Sequence, residues 1–135
     1  MKRPTPVPGR DDQFFWDGVA AGELRLQRCA SCGKLRHPPR PMCPFCHSLK
    51  FELERASGRG VVYSYVIPRH SPLTSSEEPP IVVLVELEEG ARLVSNLCGV
   101  VPGAVRNGMP VEVFFTEFEG GVRLHQFRAA AAPHR

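Results

Sequence analysis

Two Cys-x-x-Cys pairs, Cys29-Ala30-Ser31-Cys32 and Cys43-Pro44-Phe45-Cys46, are separated by ten residues and decide the fold of the first half of this 135-residue chain. Each pair can turn two sulfurs toward one point, and ten residues suffice to fold one pair over the other, which gives a tetrahedral site with metal–sulfur bonds of about 2.3 Å. We predict that one zinc ion is bound by the four cysteines of these pairs, Cys29, Cys32, Cys43 and Cys46. Iron suits the same four thiolates, as in rubredoxin, so both metals stay open.

Such a site leaves no coordination position for an activated water, because the protein supplies all four ligands. We therefore expect the metal to stabilise the fold and not to catalyse a reaction. Metal-binding free energies of about 10–16 kcal/mol exceed what the few apolar side chains of so small a segment contribute. Gly33 follows the first pair and His47 follows the second, at positions where we expect a positive φ, which histidine tolerates better than most side chains.

The cysteines are expected to be reduced. Residues 1–10 are basic and proline-rich but lack the apolar run of a signal peptide, and nowhere do eighteen apolar residues follow one another. These features predict a cytoplasmic protein with no membrane segment. In a reducing compartment paired cysteines are metal ligands more often than disulfides, so a disulfide framework is the weaker alternative.

A flexible arm is predicted at residues 1–11, because three prolines and a glycine occupy its first ten positions. A short helix is predicted at 12–21. Asp11 or Asp12 can cap its N-terminus, and Gly22 lies where a helix should end.

Two short strands are predicted to flank the cysteine-rich stretch. Alternation of polar and apolar residues predicts a strand at Glu23–Gln27, which leads into the first cysteine pair, and Phe51–Glu54 is predicted to be a closing strand. Four prolines and a glycine between the outermost cysteines predict tight turns with little regular structure. Residues 12–57 thus form one predicted module of helix and zinc ribbon.

The remainder of the chain carries the pattern of β-strands. Five are predicted, at Gly60–Ile67, Ile81–Glu88, Arg92–Leu97, Val111–Phe118 and Val122–Phe127. Turn residues separate them and no helical period interrupts them, so the crossover helices of a parallel sheet are lacking. The predicted fold is mainly β, with an N-terminal short helix and rubredoxin-like zinc ribbon, a five-stranded OB-fold barrel at 58–128 and a tail at 129–135. An SH3-like barrel is the second candidate.

The formal net charge of +3 weakly suggests a nucleic-acid partner, but its distribution argues against one. Residues 1–57 carry ten Lys or Arg against six Asp or Glu, whereas residues 58–128 carry six Arg against eight Glu. Tyr63 and Tyr65 share a strand face with apolar neighbours, so we expect them to pack in the core or barrel wall and not to stack on bases. Single-stranded nucleic-acid binding is therefore the second hypothesis for function.

No catalytic motif is recognisable, whether nucleophile elbow, metalloprotease, Walker or dinucleotide type. Five histidines are scattered along the chain, and only His70, beside Arg69 in a polar loop at Pro68–Pro80, is placed for ligand contact. Cys98 ends an apolar strand, where we expect a small buried residue. The sequence therefore predicts a protein that is not itself an enzyme.

Three adjacent aromatic residues, Phe14, Phe15 and Trp16, lie in the predicted helix. Adjacent positions on a helix point about 100° apart, so the three rings cannot pack in one narrow stripe. We expect at least one ring to be available, either for a partner protein or for packing over the zinc ribbon.

Three segments together resemble the zinc-ribbon and OB-fold proteins formerly called DUF35. Gly22–Gly33 reads G-E-L-x-L-Q-R-C-x-x-C-G, His37–Cys46 reads H-P-P-R-x-x-C-P-x-C, and Gly58–Ser64 fits G-x-G-x-V-x-S/T. The resemblance covers residues 12–128. The chain differs from that pattern in His47, where a glycine is usual, and in His125–Ala129, where relatives end in P-x-F-x-P.

The resemblance implies a non-catalytic accessory subunit of an acyl-CoA-processing enzyme, in a hetero-oligomer with a thiolase, a thiolase-like aldolase or a MaoC-like hydratase. The zinc ribbon would dock on that enzyme, with Phe14, Phe15 and Trp16 as candidate contacts. The barrel would help to bind acyl-CoA. Cationic groups suit its phosphates, and the candidates are Arg36, Arg40, Arg69 and His70.

Overall fold

A computed structural model shows a mainly β protein and describes residues 5–69 and 79–130. His70 and most of the predicted loop Pro68–Pro80 lie outside these residues, as do positions 1–4 and 131–135. In the described part, one helix, α1 at Gln13–Ala20, precedes the strands. These are β1 Arg25–Cys29, β2 Leu35–Arg36, β3 Phe51–Arg55, β4 Arg59–Val66, β5 Ile81–Leu87, β6 Arg92–Cys98, β7 Pro110–Phe118 and β8 Val122–Ala129.

The N-terminal elements form a helix and a three-stranded antiparallel sheet in the order β2-β1-β3. The predicted helix is confirmed to within one residue at each end, and the chain leaves it through Gly22 at φ 81°. Asp12 is the N-cap residue, but its side chain makes no capping hydrogen bond. Its carboxylate instead accepts hydrogen bonds from the Gly9 N–H and from the indole N–H of Trp16. The short strand β2 was not predicted, because two residues between turns carry no periodicity.

The second half forms a closed barrel in the order β4-β5-β6-β8-β7, with β7 pairing back to β4. Each of the five predicted strands is present, which confirms the OB-fold prediction. Most neighbours are antiparallel, as expected, but β6 and β8 close the barrel as a parallel pair through Leu97 and Phe127.

One continuous apolar core joins the helix, the ribbon and the barrel. Strand β5 alternates regularly, and its buried side chains Ile81, Val83, Val85 and Leu87 line the barrel interior. The helix adds Phe15 and Val19 to the same cluster. Gly60 is needed where β4 meets β5, because a Cβ there would lie 2.3 Å from the carbonyl oxygen of Glu86.

The two tyrosines, which were expected to pack in the core or barrel wall, lie outside the core. Tyr63 is 46% exposed and Tyr65 is 38% exposed, whereas Val62 is buried. Val62 marks the buried face at this point of β4, and a β-bulge between Val62 and Ser64 leaves Tyr63 as an extra residue outside the ladder with β5. The guanidinium of Arg92 lies over the exposed Tyr63 ring, 3.8 Å from its centroid.

Candidate metal centre and its surroundings

The two cysteine pairs form two turns with matching backbone hydrogen bonds. In the first turn, Gly33 N–H donates to the carbonyl of Cys29 over 2.9 Å; in the second, His47 N–H donates to the carbonyl of Cys43 over 3.0 Å. Gly33 has φ 77° and His47 has φ 64°, so both expected positive φ values are confirmed. The same local geometry therefore presents each pair of sulfurs.

These turns bring all four sulfurs together. Cys29 Sγ lies 3.5 Å from Cys46 Sγ, and Cys32 Sγ lies 3.6 Å from Cys43 Sγ. All four lie within 4.8 Å of one another. A tetrahedral ion with metal–sulfur bonds of about 2.3 Å requires sulfur–sulfur separations of about 3.8 Å. The donor set and its spacing therefore fit one metal ion with four thiolate ligands.

Hydrogen bonds from backbone N–H groups lower the pKa of two of the four cysteines. The N–H of Cys32 is the main cause that lowers the pKa of Cys29 to about 6, and the N–H of Cys46 is the main cause that lowers the pKa of Cys43. The Ser48 N–H acts to lower the pKa of Cys46, but the Cys29 sulfur, burial and the other sulfurs raise it to about 11. Four thiolates this close repel one another, so a cation is needed before all four can be ionised.

A buried polar network supports the ribbon beside the metal centre. Gln27 Oε1 accepts hydrogen bonds from Arg36 Nε over 3.1 Å and from Arg40 N–H over 2.8 Å, and Gln27 Nε2 donates to the carbonyl of Arg40 over 3.1 Å. Arg36 Nε also reaches that carbonyl. Sequence reasoning missed Gln27, because a polar residue next to the apolar positions of a strand is expected to face solvent.

The candidate acyl-CoA contacts that the structure describes differ in their exposure to solvent. Arg36 is only 6% exposed, Arg40 is exposed beside it, and Arg69 is exposed just beyond β4. His70 lies outside the described residues. Contact of these residues with acyl-CoA stays a prediction, and Arg36 has a structural role in addition.

The three adjacent aromatic residues all contact the body of the protein. Phe15 is 4% exposed and belongs to the core. The Phe14 ring lies 5.6 Å from that of Phe51, and the Trp16 ring lies 6.0 Å from that of His125. Phe14 and Trp16 are half-buried, and their docking on a partner stays a prediction.

Two histidines meet around Phe15. Its ring centroid lies 5.3 Å from those of both His37 and His125. Burial, helped by the charge of His125, lowers the pKa of His37 to about 4. Burial also lowers the pKa of His125, against a hydrogen bond to the Val94 backbone. The contact between these histidines and Phe15 was not predicted, because the three residues lie in separate parts of the chain.

A cleft of about 340 Å³ lies between the ribbon and the barrel, with Leu24, Ala56 and Phe115 among its lining residues. Its one carboxylate, that of Glu23, is paired with Arg25 over 2.7 Å and with Arg55 over 3.4 Å. This carboxylate is therefore engaged in two ion pairs with arginine.

No helix in the described part of the chain is long and apolar enough to cross a membrane. Cys98, which we expected to be buried, is half-buried at the end of β6, and its sulfur accepts a hydrogen bond from Asn96 Nδ2 over 3.3 Å.

Two known domain families match adjacent parts of the chain. Residues 16–52 match the family described as "ChsH2, rubredoxin-like zinc ribbon domain". Residues 53–116 match "ChsH2, C-terminal OB-fold domain". The boundary between the two matches falls inside β3.

Two curated proteins and one solved structure are similar over most of the chain. A probable enoyl-CoA hydratase alpha subunit of Thermomonospora curvata is 44% identical over 95% of this chain, which spans only 40% of that subunit's length. A DUF35 domain-containing scaffold protein of Methanothermobacter thermautotrophicus is 36% identical over 78% of this chain and 84% of its own length. A chain in the structure of an Ltp2-ChsH2(DUF35) aldolase superposes with a TM-score of 0.87 at 43% identity, over 93% of this chain and 99% of that one.

Proposed function

Because the chain belongs to the DUF35 family of zinc-ribbon and OB-fold proteins, we propose that it is a non-catalytic accessory subunit of an acyl-CoA-processing enzyme. The partner would be a thiolase, a thiolase-like aldolase or a MaoC-like hydratase, in a hetero-oligomer. Relatives named as a hydratase alpha subunit, a scaffold protein and part of an aldolase support this class of role. Because the chain spans only 40% of the hydratase subunit, the activity of that whole subunit is not assigned to it.

One observation carries the proposal: large apolar side chains are exposed on the ribbon. We call these side chains the ribbon patch, and their exposed fractions run from 39% to 65%. The members of the patch are Met42, Phe45, Leu49, Phe51 and Leu53. They all lie within twelve consecutive residues. Large apolar side chains that are exposed this close together along the chain are more typical of a protein interface than of solvent-facing surface. Docking of the zinc ribbon on an enzyme would cover them.

The metal in this proposal is zinc with a structural role. Four protein thiolates leave no site for a water or a substrate, and zinc prefers such a closed tetrahedral set. Iron in the same site would absorb visible light, so a colourless protein with one equivalent of zinc would support the assignment. A cytoplasmic location belongs to the same proposal, because the thiolates must stay reduced.

The barrel at 58–128 would help to hold the acyl-CoA of the partner enzyme. Arg40 and Arg69 have exposed guanidinium groups that can reach a phosphate, whereas Arg36 is covered. His70 remains a candidate from the sequence. The closed site and the paired carboxylate of the cleft support a subunit that contributes binding and not catalysis.

Co-purification tests the proposal. The tagged chain, expressed in its native cell, should recover a thiolase-like or hydratase-like subunit that mass spectrometry identifies. It should show no turnover of acyl-CoA alone and should change the KM of the recovered enzyme. Repeated recovery as a lone protein with no effect on acyl-CoA chemistry would contradict it.

One observation favours single-stranded nucleic acid as a second candidate. Tyr63 and Tyr65 are exposed on the barrel, and Arg92 stacks on the first of them. Aromatic rings with a cation nearby are the usual platform for unpaired bases. A binding assay with a labelled oligothymidylate at 50 and 200 mM salt decides this candidate, since binding through phosphates must weaken steeply with salt.

A further inference from the structure

The ribbon is basic as well as apolar. From Cys29 to Phe51 the sequence holds four Lys or Arg and no Asp or Glu. Lys34, Arg40 and Lys50 are exposed, and the Lys34 ammonium lies over the ring of Phe45, 4.1 Å from its centroid. Lys34 therefore borders the ribbon patch directly, and Lys50 lies between two of its members, Leu49 and Phe51, in the sequence. A bound divalent ion with four thiolates would carry a formal charge of −2, which leaves this segment with an excess of positive charge.

The fourth cation is Arg36, whose terminal nitrogens are unpaired. Both Nη atoms are buried and lack a hydrogen-bond partner among the residues that the structure describes. Only Nε is satisfied, through the network with Gln27. A buried guanidinium with four unused N–H donors is costly unless an acceptor reaches it. A carboxylate matches that fork with two parallel hydrogen bonds.

The ring of Phe51 covers this guanidinium, with the Arg36 Cζ 5.6 Å from the ring centroid. Phe51 lies on β3, the edge strand of the ribbon sheet, and belongs to the ribbon patch. In the sheet register Gln27 pairs with both Arg36 and Leu53. Arg36 therefore lies on the sheet face that carries Leu53, a member of the ribbon patch.

We propose that the ribbon patch docks on an apolar surface of the partner enzyme that is rimmed by Asp and Glu side chains, and that one carboxylate of this enzyme pairs with Arg36. The inference rests on the proposed function and specifies the chemistry of the partner's surface. Complementary charge would accelerate the encounter, while the apolar patch would slow dissociation.

Nucleic acid fits this face less well than an acidic protein does. Three of the five members of the ribbon patch, Met42, Leu49 and Leu53, are aliphatic and offer no ring on which a base could stack; only Phe45 and Phe51 do. Arg36 sits beneath Phe51 and is 6% exposed, so a single carboxylate side chain suits it better than a continuous phosphate backbone does. The exposed tyrosines, which would suit bases, lie on the barrel instead.

The test compares ribbon variants with matched barrel variants, using the enzyme subunit recovered by co-purification as the probe. The charge variant is Lys34→Glu with Lys50→Glu, and its control is Arg59→Glu with Arg106→Glu, at two exposed positions of the barrel domain. The apolar variant is Phe45→Ala with Leu49→Ala, and its control is Val66→Ala with Val94→Ala, which are also well exposed. Each variant is checked for one equivalent of metal.

We expect the charge variant to weaken Kd at least tenfold, mainly through slower association, and to reduce its salt dependence. The apolar variant should weaken Kd at least tenfold through faster dissociation. Arg36→Lys, which keeps the charge but loses the fork, should weaken Kd about fivefold. Both barrel controls should stay within twofold of the unmodified chain.

Two results would overturn the inference while leaving the proposed function intact: an enzyme is recovered but only the barrel variants weaken its binding, or the charge variant binds it more tightly. Oligothymidylate binding that the charge variant abolishes would assign the face to nucleic acid and also overturn it. If the unmodified chain recovers no acyl-CoA enzyme, the proposed function itself fails.

Discussion

Phe15 and His125 pack edge to face, with ring centroids 5.3 Å apart and an angle of 87° between their planes. The contact joins helix α1 to strand β8, and His37 from the ribbon packs against the same phenyl ring. Three parts of the chain therefore meet at one aromatic side chain. Both histidines must stay neutral for this packing, because a charged imidazole buried among rings would lose its hydration.

Stability should consequently fall as the pH falls. The pKa of His37 drops to about 4 on folding from an ordinary value near 6.5, and that of His125 is lowered too. The unfolded chain thus binds more protons below about pH 6.5, so stability present above that pH is lost progressively toward pH 4. Urea unfolding at pH 7.5 and 5.5 should differ by about 1–2 kcal/mol because of His37, and His125 should add to that loss.

The control for this prediction is the His37→Gln, His125→Gln pair, which removes both titrating rings. Its overall stability should be lower, but the loss between pH 7.5 and 5.5 should shrink to what the remaining groups contribute. Metal content is measured at each pH, since protonated thiols release the ion. An unchanged pH dependence in the double variant would exclude the histidines as its source.

His47→Gly should be tolerated and should raise the free energy of unfolding by up to about 1 kcal/mol, because glycine adopts a positive φ without steric cost. His47 has φ 64°. His47→Val should lower it by about 1–2 kcal/mol, since a β-branched residue is strained there. Thermal unfolding of the three proteins, each with metal bound, measures both changes; equal stability of the valine variant would contradict the prediction.

The cysteine spacing and the turn residues were enough to predict the convergence of the four cysteine sulfurs, the left-handed position of His47 and the five barrel strands. These features depend on local backbone geometry and on side-chain alternation, which the sequence carries directly. The burial of Gln27 and the pairing of His37 with His125 depend on contacts between distant segments, for which a single sequence holds no signal. The exposure of Tyr63 could not be predicted for the same reason, because the bulge that holds it outside the ladder depends on how β4 pairs with β5.

Gly60→Ala should lower the free energy of unfolding by about 1–3 kcal/mol, the usual cost of forcing atoms into a packed site. The new methyl group would meet the carbonyl oxygen of Glu86 at 2.3 Å, and backbone atoms yield little. Gly103→Ala is the control, because its Cβ would have no atom of the described chain within 4 Å. Chemical unfolding should show a loss for the first variant alone.

Cys43→Ser should abolish metal binding and unfold the ribbon, because Cys43 is a buried member of the four-sulfur cluster. Ser31→Ala is the control; it removes an exposed hydroxyl that bonds Ser48 over 3.0 Å, and it should keep the metal. Elemental analysis and near-ultraviolet circular dichroism report the two effects. Partner binding should be lost with the metal, and a complex retained by Cys43→Ser would refute the assignment of the ribbon as the docking module.

Gln27→Leu should lower the free energy of unfolding by about 2–4 kcal/mol, because it leaves buried donors and a carbonyl of the Arg36–Arg40 turn without their partner. Gln13→Leu, which removes only an exposed hydrogen bond to Asp17, should change it by less than about 0.5 kcal/mol. Gln27→Glu distinguishes the loss of hydrogen bonds from the effect of charge. It keeps the acceptor for Arg36 Nε and adds a negative charge next to the unpaired guanidinium. The glutamate variant should therefore be more stable than the leucine variant. Equal stability of the two variants would mean that the charge of Arg36 is already neutralised in the free protein.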